Sequence, residues 1–217
     1  MNAYCHDRDL LSIEPVLFLG GGFASQELAA GKAAELAGTI FTAAGADFQA
    51  ARIETGMILT AHTGIPAEGR VWEIISVDSP ATLTVSVLRA NATADLVAPA
   101  PAGGLSYRIR TYAPQIAAVS AAMGEKLRQM AESQAVATAD FADSTQLRLA
   151  AAYGVLADVF VARAADGEAD DANWIKAEHY RRLHRGLQLQ LRLVADVDGD
   201  GAAERTRALG NVTLRRS

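Results

Sequence analysis

The sequence predicts an α+β fold with a helical body of three to five helices, an inserted small antiparallel β-barrel or sandwich, and a C-terminal extended tail. This prediction rests on a change in the spacing of apolar residues along the chain. Apolar residues recur every three or four positions after residue 113 and every second position between residues 39 and 112. We therefore divide the chain into N-terminal helices of the body (1–37), an inserted β-domain (38–112), a helical core (113–190) and a C-terminal extended arm with an acidic Asp-Gly turn (191–217).

The N-terminal segment is predicted to contain helices. Asp7 or Asp9 is placed to cap a short helix, which Pro15 ends. A second helix is expected over Ser25 to Leu36, because this stretch is rich in Ala, Glu, Gln, Leu and Lys. Gly38 closes it.

The inserted β-domain is predicted from short runs that alternate in twos and are rich in β-branched residues. We expect strands over residues 57–60, 71–77, 82–87 and 107–110, with a turn over 78–81. About five short strands would make a small barrel or sandwich. The stretch from Asn91 to Gly104 is rich in Ala, Pro and Gly, and we interpret it as a long loop or arm.

The helical core is predicted to contain three helices. The first begins at Pro114, the second at Asp143 or Ser144, and the third covers about residues 172–189. The second carries two apolar stripes, which indicates burial on most sides and a central position. Its most apolar part, Leu147 to Val161, is shorter than the roughly 20 residues of a bilayer span, so we expect a buried helix and no membrane.

The charge balance bears on the class of partner. A net charge of −5 and a pI near 5.4 argue against general binding to phosphate backbones. The basic run from Lys176 to Arg185 is expected to be an exposed helix face, with a nucleic-acid patch as the alternative. It could also meet an acidic face of a neighbouring subunit.

One acidic motif resembles the first half of a calcium-binding loop. Its candidate ligands are Asp196, Asp198, Asp200 and Glu204. The twelfth position of such a loop needs a bidentate Glu, but here it holds Arg207. We therefore favour an Asp-Gly turn between two extended runs, Leu189 to Val194 and Asn211 to Arg215, and no cofactor. A weakly bound calcium ion is the alternative. The sequence has no Gly-x-Ser-x-Gly elbow and no His pair with zinc spacing, so we do not expect an enzyme.

The C-terminal half resembles a known family. The helix sequence Ala-Ala-Tyr-Gly-Val-Leu-Ala-Asp-Val-Phe (151–160) is followed by Trp-Ile-Lys-Ala-Glu-His-Tyr-Arg (174–181), the Asp-Gly loop and Arg207 to Arg216. In this order the segments resemble tailed-phage head–tail adaptor (neck connector) proteins. The start, Tyr4 to Leu11, is similar to their opening Tyr-x-x-x-x-Asp-Leu-Leu helix. The β-segment is similar to small β-domains that recur in phage structural proteins.

The resemblance implies a ring, usually of twelve copies, in the neck of the virion after assembly in the host cytoplasm. Its partners would be other copies of the chain, the portal protein and a stopper or tail-completion protein. Double-stranded DNA would pass through without sequence recognition. The implied portal-binding residues are Leu189, Leu191, Leu193, Val212, Leu214, Arg215 and Arg216. The alternatives are a tail-completion or capsid-decoration protein, a calcium-dependent binding module or hydrolase, and a nucleic-acid binder.

Overall fold

The structure is a computed structural model that describes residues 3–19, 25–64, 69–133, 139–141, 144–164, 171–195 and 205–208. The chain forms two compact units, one of His6–Ala113 and the other of Met1–Cys5 with Pro114–Ser217. The predicted α+β class is confirmed, because the described residues contain four helices and a closed six-stranded antiparallel barrel. Most of the predicted C-terminal tail lies outside them.

The first unit begins with helix α1 and continues as the barrel. The elements are α1 (Asp7–Ile13), β1 (Gln26–Ala37), β2 (Ile40–Thr42), β3 (Ile58–His62), β4 (Arg70–Ser79), β5 (Thr82–Ser86) and β6 (Ala102–Thr111). Around the barrel the strand order is β1-β2-β5-β4-β3-β6, and every pair is antiparallel. Closure leaves no sheet edge unpaired. The strands predicted over 57–60, 71–77, 82–87 and 107–110 correspond to β3, β4, β5 and β6.

The core of the barrel is formed by side chains that point inward from alternate positions along the strands. Leu59 lies opposite both Trp72 of β4 and Ile109 of β6, and all three side chains are buried. Phe41 and Tyr107 meet edge to face with ring centroids 5.3 Å apart. Each buried aromatic ring removes a large apolar area from water, so these rings stabilise the barrel strongly.

The predicted helix over Ser25 to Leu36 is wrong, because residues 26–37 form β1. Register shifts interrupt the pairing of β1 with β6 at three places, so the alternation in twos is broken along the strand. Ala33 lies at one of them with φ of +58°. Pairing with β6 and β2 outweighs the helix propensity of the Ala-rich sequence. The barrel thus begins before residue 38, where the sequence placed the domain boundary.

The predicted short helix at the start of the chain is confirmed as α1. The Asp9 carboxylate accepts a hydrogen bond from the His6 backbone N–H at 2.8 Å. This bond supports the first turn, where backbone N–H groups lack partners within the helix.

The second unit contains helices α2 (Ala113–Ser133), α3 (Ser144–Arg163) and α4 (Ala172–Gln190). The three predicted helices are therefore confirmed. Within the predicted stripe of α2 the side chains from Ile116 to Leu127 are buried, while that of Met130 lies outside the description. Asp171 caps α4 by accepting hydrogen bonds from the backbone N–H groups of Asn173 and Trp174.

Helix α3 is the central helix, as predicted. Ala150, Ala151, Ala152, Val155 and Val159 are fully buried. By length and composition alone, residues 145–163 could cross a membrane, and 56% of the most apolar window is buried within the protein. The core helix of a soluble protein meets the same criteria, so the finding is weak evidence for a span.

Three short strands form a separate antiparallel sheet in the order β7-β8-β9. They are β7 (Ala139–Phe141), β8 (Arg192–Ala195) and β9 (Arg205–Ala208). The run predicted to be extended from Leu189 begins later, because α4 continues to Gln190. The other run predicted to be extended, residues 211–215, lies outside the described residues.

Candidate interaction surfaces

Hydrogen bonds to the Asp7 side chain join the start of the first unit to its end. Its Oδ2 accepts a hydrogen bond from the Thr111 hydroxyl at 2.6 Å, and its Oδ1 accepts one from the Tyr112 backbone N–H at 2.8 Å. Burial raises the pKa of the Asp7 carboxyl from 3.8 to about 6, although these hydrogen bonds act in the opposite direction. The chain thus enters and leaves this unit at one place.

A buried ionic cluster joins α1, β4 and the segment after β5. The Glu73 side chain is 1% exposed, and its carboxylate accepts a hydrogen bond from Arg89 Nε. Arg8 Nη2 lies 3.3 Å from the other Glu73 oxygen and donates to the backbone carbonyl of Arg89 at 2.8 Å. A buried carboxylate needs such partners, because burial removes its hydration.

This cluster anchors the β5–β6 loop, which we define as residues 87–101. Arg89 Nη1 donates to the Ala94 carbonyl at 2.9 Å, and the Val87 backbone N–H donates to the Val97 carbonyl at 2.9 Å. The loop is therefore held from its buried side. On its outer side, large aliphatic residues are solvent-exposed: Val87 by 41%, Leu96 by 44% and Val97 by 51%.

The second unit depends on a close approach of its three helices at Gly154 of α3. A Cβ atom at Gly154 would lie 2.9 Å from a methyl group of Val119 and 3.0 Å from the His184 ring. His184 Nδ1 donates to the Ala150 carbonyl at 2.7 Å, which leaves Nε2 as an acceptor. Gln188 donates to that Nε2 at 2.8 Å. The His184–Ala150 bond joins α4 to α3, and the Gln188–His184 bond within α4 orients the imidazole ring.

Helix α4 carries four Lys or Arg residues and one Glu, and Lys176, Arg181 and Arg182 each contact another group of the protein. Lys176 Nζ lies 4.9 Å above the Phe160 ring. Arg181 pairs with Glu178 and lies 5.5 Å from the Trp174 ring centroid. Arg182 Nε donates to the Glu178 backbone carbonyl at 3.4 Å, and the side chains of Arg182 and Arg185 are both exposed.

We define the outer face of α4 by the exposed residues Ile175, His179, Arg182, Arg185 and Leu189. Their spacing of three or four places them along one side of the helix. Leu189 is 66% exposed and Ile175 is 56% exposed, so they rank first and third among the exposed large hydrophobic residues of the described ranges, with Val16 between them at 61%. Of the basic run predicted to be an exposed face, Arg182 and Arg185 are exposed, whereas Lys176 and Arg181 are half-buried. The outer face also carries aliphatic residues at both ends.

The residues implied to bind a portal differ in accessibility. Leu189 is exposed, whereas Leu191 is 2% exposed and lines a small cleft with Met123 and Leu127. The backbone of Leu193 lies in β8 opposite Phe141 and Arg207. Of the two members of this group whose side chains the structure describes, Leu189 is therefore the exposed one. Val212, Leu214, Arg215 and Arg216 lie outside the described residues.

The candidate calcium ligands Asp196, Asp198, Asp200 and Glu204 also lie outside the described residues. The strands on either side of this segment, β8 and β9, pair with each other. Arg207 stands in β9, so the segment leads into a strand where a calcium loop of the helix–loop–helix type needs a helix. Across the described ranges, no group of three or more His, Cys, Asp or Glu side chains is arranged to hold a metal.

Sequence reasoning missed the Arg8–Glu73–Arg89 cluster. A signal was present, because Glu73 interrupts the apolar run from Val71 to Val77. Its neighbours Trp72 and Ile74 lie in the barrel core, so alternation along the strand puts Glu73 on the opposite, outer side of the barrel. Helix α1 packs against that surface and places Arg8 beside Glu73, so the Glu73 carboxylate is buried.

No family model matches this chain, and neither a curated protein nor a solved structure is significantly similar to it.

Proposed function

We propose that the chain is a structural virion protein, a head–tail connector that forms a ring below the portal of a tailed phage. In this role it extends the DNA channel and provides a docking platform for the stopper or tail. It acts through binding surfaces, with no catalytic step. The order of motifs in the C-terminal half and the resemblance of the opening helix are the sequence support for this proposal.

The structural observation that carries the proposal is the outer face of α4. Ile175 and Leu189 are each more than half exposed and lie at the two ends of this face, with Arg182 and Arg185 between them. In an assembly protein these residues would be covered by a neighbour. The exposed β5–β6 loop is a second surface of the same kind, held in place by Arg89.

The acidic character of the chain also suits a DNA channel. Outside α4 the chain has 24 acidic and 16 basic residues. A surface with this excess repels the phosphate backbone, so DNA can pass without being retained.

Binding to the portal tests this proposal. The purified chain is mixed with portal rings, and the mass distribution is measured by mass photometry. We expect a complex heavier than the portal by many copies of the 22.8 kDa chain. A chain that leaves the portal mass unchanged at micromolar concentration would contradict the proposed function.

A further inference from the structure

We infer that the outer face of α4 of one copy binds the β5–β6 loop of the next copy. This inference rests on the proposed ring and adds which two surfaces form its repeated contact. Each copy would use α4 on one side and the loop on the other. A contact of this kind joins two different surfaces, so it can continue around a closed ring.

The outer face of α4 has the composition of a protein-binding surface. Ile175 and Leu189 are separated by 14 residues, which corresponds to about 21 Å along a helix. Between them lie Arg182 and Arg185. Exposed aliphatic side chains with arginines between them favour a protein partner, because a DNA backbone offers nothing to the aliphatic residues.

The β5–β6 loop offers the complementary chemistry. Val87, Leu96 and Val97 are exposed aliphatic residues, and Asp95 beside them is an exposed carboxylate. The unit that carries the loop has 11 acidic and seven basic residues over His6–Ala113, so its charge is opposite to that of α4. The hydrogen bonds of Arg89 and Val87 fix the loop before binding, which lowers the entropy lost on association.

Charge also selects the symmetry of the contact. A two-fold dimer through α4 would place Arg182 and Arg185 close to the same residues of the partner, where like charges repel. A two-fold dimer through the loop would bring two Asp95 carboxylates together. Pairing α4 with the loop avoids both repulsions, so the head-to-tail arrangement is favoured. Because the next copy would cover Leu189, we assign the portal contact to residues that follow α4.

Charge reversal tests the contact. Sedimentation velocity is measured over a concentration series at low salt for wild type, R182E/R185E, D95K and the control K32E/R70E. Lys32 and Arg70 are exposed on the barrel, and their reversal changes the net charge as much as R182E/R185E does. We expect wild type and control to associate alike. Association of R182E/R185E alone should be at least tenfold weaker, and that of D95K alone should also be reduced.

The decisive measurement uses an equimolar mixture of the two variants whose association is weakened. In the mixture every α4 can meet a loop of opposite charge, so association should return. This restoration requires that the two surfaces bind each other, and partial unfolding of either variant could not produce it. A mixture that remains dissociated, or an R182E/R185E variant that assembles like the control, would overturn the inference.

The wild-type measurement separates this inference from the proposed function. A wild-type chain that stays monomeric through the whole concentration series contradicts the inferred contact. Binding to portal rings decides the connector function independently, because it depends on a different partner.

Discussion

Arg89 binds Glu73 beneath the surface of the barrel while the same guanidinium binds the carbonyl of Ala94. One arginine therefore links a buried strand carboxylate to an exposed loop. Arg8 of α1 completes the cluster from the other side. Through these contacts the conformation of a candidate binding loop depends on the packing of the N-terminal helix.

Replacement of Glu73 by Gln should destabilise the first unit. The change leaves Arg8 and Arg89 buried without a carboxylate, and breaking a buried pair in this way costs about 3 kcal/mol or more. Urea unfolding measures the loss. Glu54→Gln is the matched control on an exposed residue and should change stability by less than about 0.5 kcal/mol. Equal stability of the two variants would show that the cluster contributes nothing.

The buried Asp7 carboxyl should make stability depend on pH. Its pKa is raised from 3.8 to about 6 in the folded protein, so protonation favours the folded state. This contribution is fully present below the unfolded pKa and is lost as pH rises through about 6. Between pH 7 and pH 5 the wild type should gain roughly 1 kcal/mol relative to Asp7→Asn.

The Asp7→Asn variant is the appropriate reference because its amide can still accept from the Tyr112 N–H and donate to the Thr111 hydroxyl oxygen. Unlike the Asp7 carboxyl, this amide has no proton that titrates in the pH range of the experiment. Unfolding free energies of both proteins are measured at several pH values. Parallel pH profiles for the two proteins would refute the assignment of this dependence to Asp7.

Replacement by alanine should change stability in opposite directions at two glycines of the helical unit. Gly154→Ala places a methyl group within 3.0 Å of Val119 and His184, and the strain should destabilise the unit by about 1–3 kcal/mol. At Gly186 of α4 a methyl group meets nothing within 4 Å, so Gly186→Ala should stabilise by up to about 1 kcal/mol through helix propensity. Thermal unfolding compares the variants. A stabilising Gly154→Ala would contradict the close helix approach described here.

The Asp-Gly segment should bind no calcium. Arg207 occupies the position where a calcium loop supplies a bidentate Glu, and it stands in a strand. Isothermal titration with calcium should therefore give no binding heat for wild type, and Asp198→Ala/Asp200→Ala should unfold at the same temperature as wild type with calcium present. Heat of binding that disappears in the double variant would instead establish a calcium site.

The helices and four barrel strands could be predicted because their periods are local. Pro114 and the stripe from Ile116 to Leu127 place α2 without reference to the rest of the chain. Strand β1 could not be predicted in this way. Its pairing partner β6 lies about 80 residues away, and register shifts hide its alternation.

The candidate surfaces were predictable only in part. The basic exposed face of α4 follows from the helical spacing of Arg182 and Arg185. The β5–β6 loop was expected to be a loop, but its anchoring by Arg89 was not, because Glu73 and Arg8 come from distant parts of the chain. Contacts between distant segments carry no local pattern that a single sequence can show.

Electron microscopy of phage particles assembled in cells that express this chain tests its proposed position at the neck. The account predicts a ring of copies at the neck, between the portal and the tail, with each copy matching the barrel and the helical unit. Density for the chain on the capsid shell or along the tail tube, or its absence from the particle, would contradict the account.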